Sequence, residues 1–271
     1  MSQQPEPTAP HRITAADGLG VAEVHAHTRA SDGMVSAREL VRAAADVGID
    51  VLCITDHDTM RGVREAREAG AEFGVEVVSG QEVTSAGPAN IHVIALFLDR
   101  PVRMGLSVPD TIQAIRDHGG LAELAHPFMP TYFASLGPRR LQRLLDTSTV
   151  DGIELRHTAP MGPGAFRKLD AFYGAHRDQL GAALGAGDSH FGRHDLGRVV
   201  TIFPGASAAD LRTAIEQRTT SPRRGIAPLA PPSKRMRLAQ QHRSLIWLPG
   251  ERRAGRVGGG AGPKQAEMPG R

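Results

Sequence analysis

Two histidines two residues apart, His25 and His27, follow an apolar run near the start of the chain, and Asp32 comes five residues later. Residues two apart on a β-strand project from the same face, so both imidazoles point the same way where the predicted strand ends. Two imidazoles and a carboxylate in such an arrangement suit a shared metal ion. By itself the stretch is equally consistent with ordinary polar residues that leave a strand.

Side chains of the same chemistry recur where other predicted strands end. Asp56 and His57 follow a fully apolar strand, and Asp188-Ser-His190 repeats the spacing of two residues. The candidate ligands all offer nitrogen or oxygen donors and are His25, His27, Asp32, His57, Glu82, His92, His126, Asp188 and His190. One tetrahedral ion uses about four ligands. Nine candidates therefore predict two or three divalent ions, with Zn, Mn or Fe as the metals that suit these donors.

Three polar residues of these motifs have a second interpretation. Asp56 and Asp58 flank His57, and carboxylates so placed orient a ligand or cap a helix more often than they bind the ion. His92 is the second residue of a predicted strand, where strict alternation would make it a core histidine. We therefore treat the two aspartates as supporting residues and keep core packing as the alternative for His92.

The polar motifs are held by strands that alternate with helices at least seven times. The predicted strands cover 21–25, 50–54, 75–79, 91–97, 121–125, 150–155, 182–186 and 199–203. The predicted helices cover 37–47, 60–73, 108–118, 138–146, 163–178 and 207–217. This alternation predicts a parallel α/β protein. Because the candidate ligands follow many strands instead of one switch point, a closed barrel is favoured over a doubly wound sheet.

Composition narrows the class of protein further. Of the 271 residues, 40% are hydrophobic, which is enough for a sizeable core. The single cysteine, Cys53, excludes a disulfide within the chain and a thiolate zinc site, and it is expected to be buried packing. No run approaches the ~18 apolar residues of a membrane span, and the first residues lack the apolar core of a signal peptide. We predict a cytoplasmic protein with no membrane partner.

Charge is distributed unevenly along the chain. Residues 221–271 contain 11 Lys and Arg against two acids, a net +9, while the remainder has 21 basic and 27 acidic residues, a net −6. Residues 1–19 and 227–271 are expected to be disordered, so the predicted folded domain is 20–226. The basic tail is either a solvated extension or a segment that contacts polyanions.

The motifs occur in an order that resembles a known family. His25-Ala-His27-Thr and Asp32-Gly are followed by Ile-Thr-Asp56-His57-Asp58-Thr, Gly-Gln-Glu82, Ile-His92-Val, Ala-His126-Pro and Gly-Asp188-Ser-His190. Together they resemble the PHP (polymerase and histidinol phosphatase) family of metal-dependent phosphoesterases over about residues 20–225. The residues of these motifs are most similar to those of the TrpH-like branch, which includes nucleoside and oligonucleotide phosphatases.

The resemblance implies a distorted barrel of seven β/α units with a trinuclear site. It implies one ion on His25, His27, Glu82 and Asp188, a second on Glu82, His92 and His126, and a third on Asp32, His57 and His190. Glu82 and Asp188 are then also the catalytic candidates. The implied activity is hydrolysis of a phosphate ester by a metal-bound hydroxide. The expected substrate is a nucleotide or another small phosphorylated molecule.

Two other functions remain open at this point. The same site could act as a 5'-3' exonuclease or phosphodiesterase on RNA or DNA ends, with the basic tail on the backbone, or the domain could be a non-catalytic metal-binding scaffold. Arg156, His157 and Arg198 are candidates for binding an anionic substrate, with ordinary salt bridges as the alternative.

The segment between His92 and His126 departs from the TrpH-like pattern. Many TrpH-like members carry a helical insertion there, but this chain has only 33 residues with one predicted helix. We therefore expect a more open site, or one covered by the 128–137 loop or the basic tail.

Overall fold

Nine strands among the described residues form one mixed sheet that curls into a nearly closed barrel. The computed structural model describes residues 12–87, 89–130, 134–226 and 230–258. The strands are β1 Leu19–Glu23, β2 Val51–Ile54, β3 Glu76–Thr84, β4 His92–Leu96, β5 Leu121–Leu124, β6 Gly152–His157, β7 Ala182–Ala186, β8 Val199–Pro204 and β9 Ser221–Arg224. Their order in the sheet is β7-β6-β5-β4-β3-β2-β1-β8-β9.

The helices largely follow the predicted periodicity. They are α1 Ala37–Val47, α2 Val63–Phe73, α3 Val108–Asp117, α4 Pro138–Leu145, α5 Pro163–Leu180, α6 Ala208–Glu216, α7 Lys234–His242 and α8 Leu248–Arg253, with a π-helical turn at Arg243–Trp247 and a short 3-10 turn at Gly192–His194. α1 begins with a capping box between Ser36 and Glu39 and ends at Gly48, whose φ is 81°. Both ends of α1 follow from their residue types, since a serine cap satisfies free N–H groups and glycine adopts positive φ without strain.

The sheet differs from the expected parallel arrangement at β4 and β8. β4 runs antiparallel to both β3 and β5, and β8 runs antiparallel to β1. Seven residues, 85–91, join β3 to β4, which is too few for a parallel crossover of about a dozen or more residues. The chain therefore turns back, which brings the first residue of β4 to the edge where β3 ends. Residues 187–198 likewise contain only a short 3-10 turn between β7 and β8.

The barrel closes between β7 and the strands at the other end of the sheet. His27 N–H donates to the carbonyl of Ser189 at 2.8 Å, and Ser189 N–H donates to the carbonyl of His25 at 3.2 Å. Further along the seam, the Thr201 hydroxyl accepts from Gly185 N–H and donates to Gly185 O, both at 2.9 Å. At the seam the Thr201 hydroxyl thus takes the place of backbone groups that would otherwise pair with Gly185.

Apolar residues pack on both faces of the sheet. In β2, Val51 and Cys53 join one cluster, while Leu52 and Ile54 join another with α1 and α2. All four are fully buried, as expected for a strand covered on both faces. Cys53 is buried and unoxidised, consistent with a packing role. Among the residues that the structure describes, none of the helices combines the length and the apolar character that crossing a membrane would need.

Both predicted tails contain ordered residues. Ile13 is buried and its N–H donates to the carbonyl of Val47 at 2.8 Å, although residues 1–19 were expected to be disordered. β9, which was not predicted, pairs with β8. Residues 230–258 form helices where we expected a disordered tail. Their order was missed because they dock mainly by polar contacts, which leave no apolar periodicity in the sequence. Residues 1–11, 227–229 and 259–271 lie outside the described part of the chain.

The seam allows a test of barrel closure by substitution of Gly185. A Cβ at this position would overlap the backbone carbonyl of Val200, so we expect Gly185→Ala to lower the free energy of unfolding by about 1–3 kcal/mol. Gly174→Ala in α5 is the matched control, because a Cβ there meets nothing within 4 Å and alanine favours a helix. Urea titration of both variants is the measurement, and equal stabilities would contradict the closed seam.

Candidate metal centre

All nine candidate ligands lie at one edge of the barrel. The loops after β1, β2, β5 and β7 carry most of them, Glu82 lies within the last part of β3, and His92 begins β4. His92 reaches this edge because β4 is antiparallel, so the beginning of that strand lies beside the end of β3 at Thr84. The core-packing alternative for His92 does not hold, since its Nδ1 atom lies 2.7 Å from Glu82 Oε1.

The Glu82 carboxylate is the centre of the cluster. Its side chain is 1% exposed, and both oxygens face imidazoles. Five ring nitrogens lie within 3.3 Å of these oxygens: His25 Nε2, His27 Nε2 and His57 Nδ1 at 3.1, 3.2 and 3.1 Å from Oε2, and His92 Nδ1 and His126 Nε2 at 2.7 and 3.3 Å from Oε1. Each oxygen thus faces a separate set of donors, as in a carboxylate that bridges two ions.

Three donors beside Glu82 Oε2 have the spacing that ligands of a tetrahedral ion require, namely His25 Nε2, His27 Nε2 and Asp188 Oδ1. His25 Nε2 and His27 Nε2 are 3.0 Å apart. Asp188 Oδ1 lies 3.4 Å from His25 Nε2 and 3.2 Å from His27 Nε2. Ligands about 2.0–2.1 Å from a tetrahedral ion are themselves ~3.3 Å apart. Asp188 is 26% exposed, so this group opens to solvent on one side.

A second group of donors surrounds Asp32. Its Oδ1 atom lies 3.3 Å from His190 Nε2 and 3.8 Å from both His57 Nε2 and His27 Nδ1. These four residues bring one donor atom each within 4.8 Å of one another. His57 and His27 therefore stand between two groups, and the cluster is continuous from Asp188 to Asp32.

Several buried ring nitrogens of the cluster make no hydrogen bond. Among the described residues these are the Nδ1 atoms of His27, His57, His92 and His126. The Nδ1 atoms of His57 and His92 face Glu82, and that of His27 faces Asp32. Buried polar atoms are normally satisfied, so unpaired imidazole nitrogens beside carboxylates fit divalent cations. Nitrogen and carboxylate donors in these groups also suit the metals expected from the sequence.

The pKa shifts within the cluster also indicate a site for cations. Burial lowers the pKa of His57 to about 3. Burial opposes protonation of His190 as well, but the carboxylates of Asp32 and Asp188 raise the pKa of His190 to about 10. Despite burial, the histidines hold the pKa of Glu82 well below its usual range. The carboxylates therefore require positive charge nearby, and bound ions would replace the protons that imidazoles otherwise carry.

Glu154 on β6 orients two of the candidate ligands. His25 Nδ1 lies 2.6 Å from Glu154 Oε1, and His126 N–H donates to Glu154 Oε2 at 2.6 Å. A carboxylate on Nδ1 fixes the ring so that Nε2 faces the cluster. Sequence reasoning missed this residue, although a glutamate inside the apolar stretch Gly152-Ile-Glu154-Leu was a signal.

Buried aspartates hold the loops that carry the ligands. Asp56 accepts from Thr28 N and Thr28 Oγ1 at 2.8 and 2.6 Å and from Ser31 Oγ at 2.6 Å, which fixes the loop before Asp32. Asp58 accepts from Thr84 N at 2.7 Å. Both aspartates thus support the ligands, as their positions suggested.

Asp195, which sequence reasoning missed, does the same for the loop after β7. It accepts from His190 N and Phe191 N at 2.7 and 2.9 Å and from Ser189 Oγ at 2.7 Å. One carboxylate therefore fixes the backbone N–H groups of both His190 and the residue that follows it.

Backbone strain is concentrated at the same edge. His126, Asp188 and Asp58 have φ values of 28°, 49° and 53°, in the region that favours glycine. Each such conformation costs on the order of 1–3 kcal/mol and persists only where the surroundings enforce it. At Asp188 and His126 the strained backbone directs a candidate ligand into the cluster.

A cleft of about 1170 Å³ opens beside Asp188 and His190. Arg198, Arg224 and Arg237 line it, and among the described residues Arg198 and Arg224 have no acidic partner. Arg224 and Arg237 were not identified from the sequence, because neither belongs to a motif.

The three predicted substrate-binding residues differ in this cleft. Arg156 and His157 also line it, but Arg156 forms a bidentate ion pair with Asp170 at 2.7 and 3.0 Å. His157 is 4% exposed and its Nε2 atom lies 3.2 Å from the carbonyl of Pro127. Only Arg198 of the three is therefore free to meet an anion.

Comparison with known proteins assigns the fold and the site to a class. The family model of the PHP domain matches residues 23–127. A 5'-3' exoribonuclease of Haemophilus influenzae is 30% identical over 230 residues, which are 83% of this chain and 73% of that protein. A 3',5'-nucleoside bisphosphate phosphatase of Chromobacterium violaceum is 27% identical over 204 residues, 66% of this chain and 69% of that protein.

A solved structure shares the fold. It is a two-domain protein of Bacteroides vulgatus containing a PHP-like metal-dependent phosphoesterase, with a TM-score of 0.62, 19% identity and coverage of 83% of this chain and 70% of that one. The barrel and its His/Asp/Glu cluster define a metal-dependent phosphoesterase. The chain belongs to the PHP domain family.

The contact between Glu154 and His25 yields a test. In Glu154→Gln one acceptor becomes an N–H donor that faces His25 or the backbone of His126, so we expect metal affinity to fall about 10- to 100-fold. Glu123→Gln is the matched control, because burial and the neighbouring carboxylate of Glu154 raise the pKa of Glu123 well above its usual range. A neutral amide then replaces a neutral acid. Metal titration followed by calorimetry should separate the two variants, and equal affinities would refute the role of Glu154.

Proposed function

We propose that this chain hydrolyses phosphate esters of nucleotides at a trinuclear metal site. The observation that carries the proposal is the convergence of donors on both oxygens of Glu82 and on Asp32. Beside them lies a cleft with two arginines that have no acidic partner among the described residues. In this assignment one ion is held by His25, His27, Glu82 and Asp188, a second by Glu82, His92 and His126, and a third by Asp32, His57 and His190. Divalent ions held by these residues would supply Lewis-acid stabilisation of the phosphoryl oxygens and would activate a water.

Asp188 and Glu82 have different roles in this proposal. Although burial opposes it, the imidazoles of His25 and His190 hold the pKa of Asp188 well below its usual range. Asp188 is therefore ionised, and because it is partly exposed at the cleft it is the candidate ligand placed to contact substrate. Glu82 is enclosed by imidazoles on both oxygens, so its role is to hold the cluster together instead of transferring a proton.

The arginine cleft supports a substrate with a second anionic group. Arg198 and Arg224 lie near Asp188 without acidic partners among the described residues, and guanidinium groups bind phosphate oxygens in a bidentate manner. A nucleoside bisphosphate places a second phosphate one ribose away from the first. The Chromobacterium violaceum relative is named for such a substrate.

A second candidate function is removal of nucleotides from RNA ends. The Haemophilus influenzae relative, named as a 5'-3' exoribonuclease, matches over most of this chain. An RNA end offers the same pair of neighbouring phosphates, so the ligands and the arginines would serve both reactions. The two functions are separated by comparing turnover of a 3',5'-bisphosphate mononucleotide with that of a 5'-phosphorylated oligoribonucleotide.

Substitution of the two carboxylates tests the reaction itself. We expect Glu82→Gln and Asp188→Asn to abolish hydrolysis of nucleoside bisphosphate in the presence of Mn and to lower the metal content of the purified protein. Gln113→Ala, on the exposed side of α3, is the control. Gln81, the neighbour of Glu82, is not suitable as a control, because its side chain is hydrogen-bonded to the backbone of Val102. Phosphate release and elemental analysis are the measurements. Full turnover with unchanged metal in either variant would overturn the proposal.

Substitution of the arginines tests how substrate binds. Loss of Arg198 or Arg224 removes a hydrogen bond to a charged group, so KM for a bisphosphate should rise roughly 10- to 100-fold with little change in kcat. Arg64→Ala is the control, because Arg64 is 85% exposed on α2 and pairs only with Glu68. A mononucleotide with one phosphate should show a smaller change in KM. An equal change for both substrates would contradict a second phosphate site.

A further inference from the structure

The C-terminal cap, residues 230–258, packs across the loops that carry the ligands. From it, Arg243 Nη2 donates to the carbonyl oxygens of Arg29 and Ser31 at 2.8 and 2.6 Å. These carbonyls belong to the loop immediately before Asp32. The cap therefore fixes the backbone of a ligand loop more than 200 residues away in sequence.

The other end of the cap is attached beside His57. Arg252 Nε donates to Asp58 Oδ2 at 2.7 Å, and Arg252 Nη2 donates to Thr84 Oγ1 at 2.7 Å. The N–H of Gly258 donates to the carbonyl of Asp58 at 2.8 Å. Asp58 is buried, so this charged pair is shielded from water and salt. The cap is thus held at two loops of the metal centre.

Next to the attachment at Arg243 the cap contacts Asp32 directly. Gln240 Nε2 donates to Asp32 Oδ2 at 3.2 Å and to Ser244 Oγ at 2.8 Å, and Ser244 Oγ donates to the same Asp32 oxygen. The other oxygen, Oδ1, is the one that faces His190 at 3.3 Å. Two donors on Oδ2 therefore fix the carboxylate plane and leave Oδ1 for the cluster.

Apolar packing does not account for the docking of the cap. Among the apolar side chains of the cap only Leu248 and Val257 are buried, at 2 and 5% exposure. Leu238, Leu245 and Ile246 are 67, 74 and 63% exposed on its outer face. The contacts that select the observed position are thus hydrogen bonds to ligand loops, and those of Gln240 and Ser244 end on a candidate ligand.

We propose that Gln240 and Ser244 are positioning residues of the metal centre. They hold Asp32 with Oδ1 towards His190 and His57, and thereby set the affinity for the ion at that end of the cluster. The inference rests on the metal site of the proposed function. It makes the C-terminal cap part of the enzyme's site instead of an appendage.

Metal content of cap variants tests this inference without a substrate. The full-length Gln240→Ala/Ser244→Ala variant is equilibrated with Mn over a buffered concentration series, and bound Mn per chain is measured by elemental analysis after gel filtration. We expect one class of bound Mn to weaken about 10- to 100-fold while the remaining Mn is held as in the wild type. Gln241→Ala, an exposed neighbour on the same helix, should behave as the wild type. The single variant Ser244→Thr keeps the hydroxyl group, so it should bind this class of Mn with most of the wild-type affinity.

The outcomes separate this inference from the proposed function. An unchanged Mn curve in the double variant, or an equal change in Gln241→Ala, overturns the positioning role whatever the activity. Loss of every class of bound Mn also overturns it, since Asp32 would then not be affected selectively. Selective loss of one class in a protein that hydrolyses no nucleotide would support the positioning role and refute the proposed function.

Discussion

One buried carboxylate, that of Glu82, constrains the whole functional edge of this barrel. A carboxylate that is 1% exposed is costly to desolvate unless positive charge lies beside it. The five imidazoles around it follow the ends of three strands, β1, β2 and β5, or begin β4. None of them can compensate the charge until these strands have paired around β3. Closure of the seam then adds Asp188 and His190, because the loop after β7 pairs with the backbone of His25 and His27. Ions that bind only the folded chain stabilise it by mass action.

The path of β4 explains why local patterns predicted the ligands better than the sheet. Strand and helix periods identified nearly every element, and the resemblance named all nine residues that converge. The patterns did not reveal direction, because a strand reads alike in parallel and antiparallel pairs. The absence of a helix in residues 85–91 was the available signal. From this signal His92 could have been predicted at the beginning of an antiparallel strand, and core packing would no longer have been an alternative for it.

The residues that support the ligands were harder to predict, for a physical reason. Glu154 meets His25 across 129 residues of sequence, and Ser244 meets Asp32 across 212. Such contacts depend on barrel closure and on docking of the cap, which no short window encodes. Glu154 still left a trace as a carboxylate inside an apolar strand. Ser244 left none, because a serine in an arginine-rich helix is indistinguishable from a solvated surface residue.

Docking of the C-terminal cap changes the interpretation of the excess of basic residues at 221–271. Arg243 and Arg252 are committed to backbone carbonyls and to Asp58 within the protein, so they are not available to grip a polyanion. Among the described residues, Arg198 and Arg224 of the barrel line the cleft without an acidic partner, and Arg237 of the cap lines it as well. A cleft of about 1170 Å³ is large enough to enclose a nucleotide. Guanidinium groups from the barrel and from the cap therefore line the same cleft as Asp188, which is where the proposed second phosphate would find positive charge.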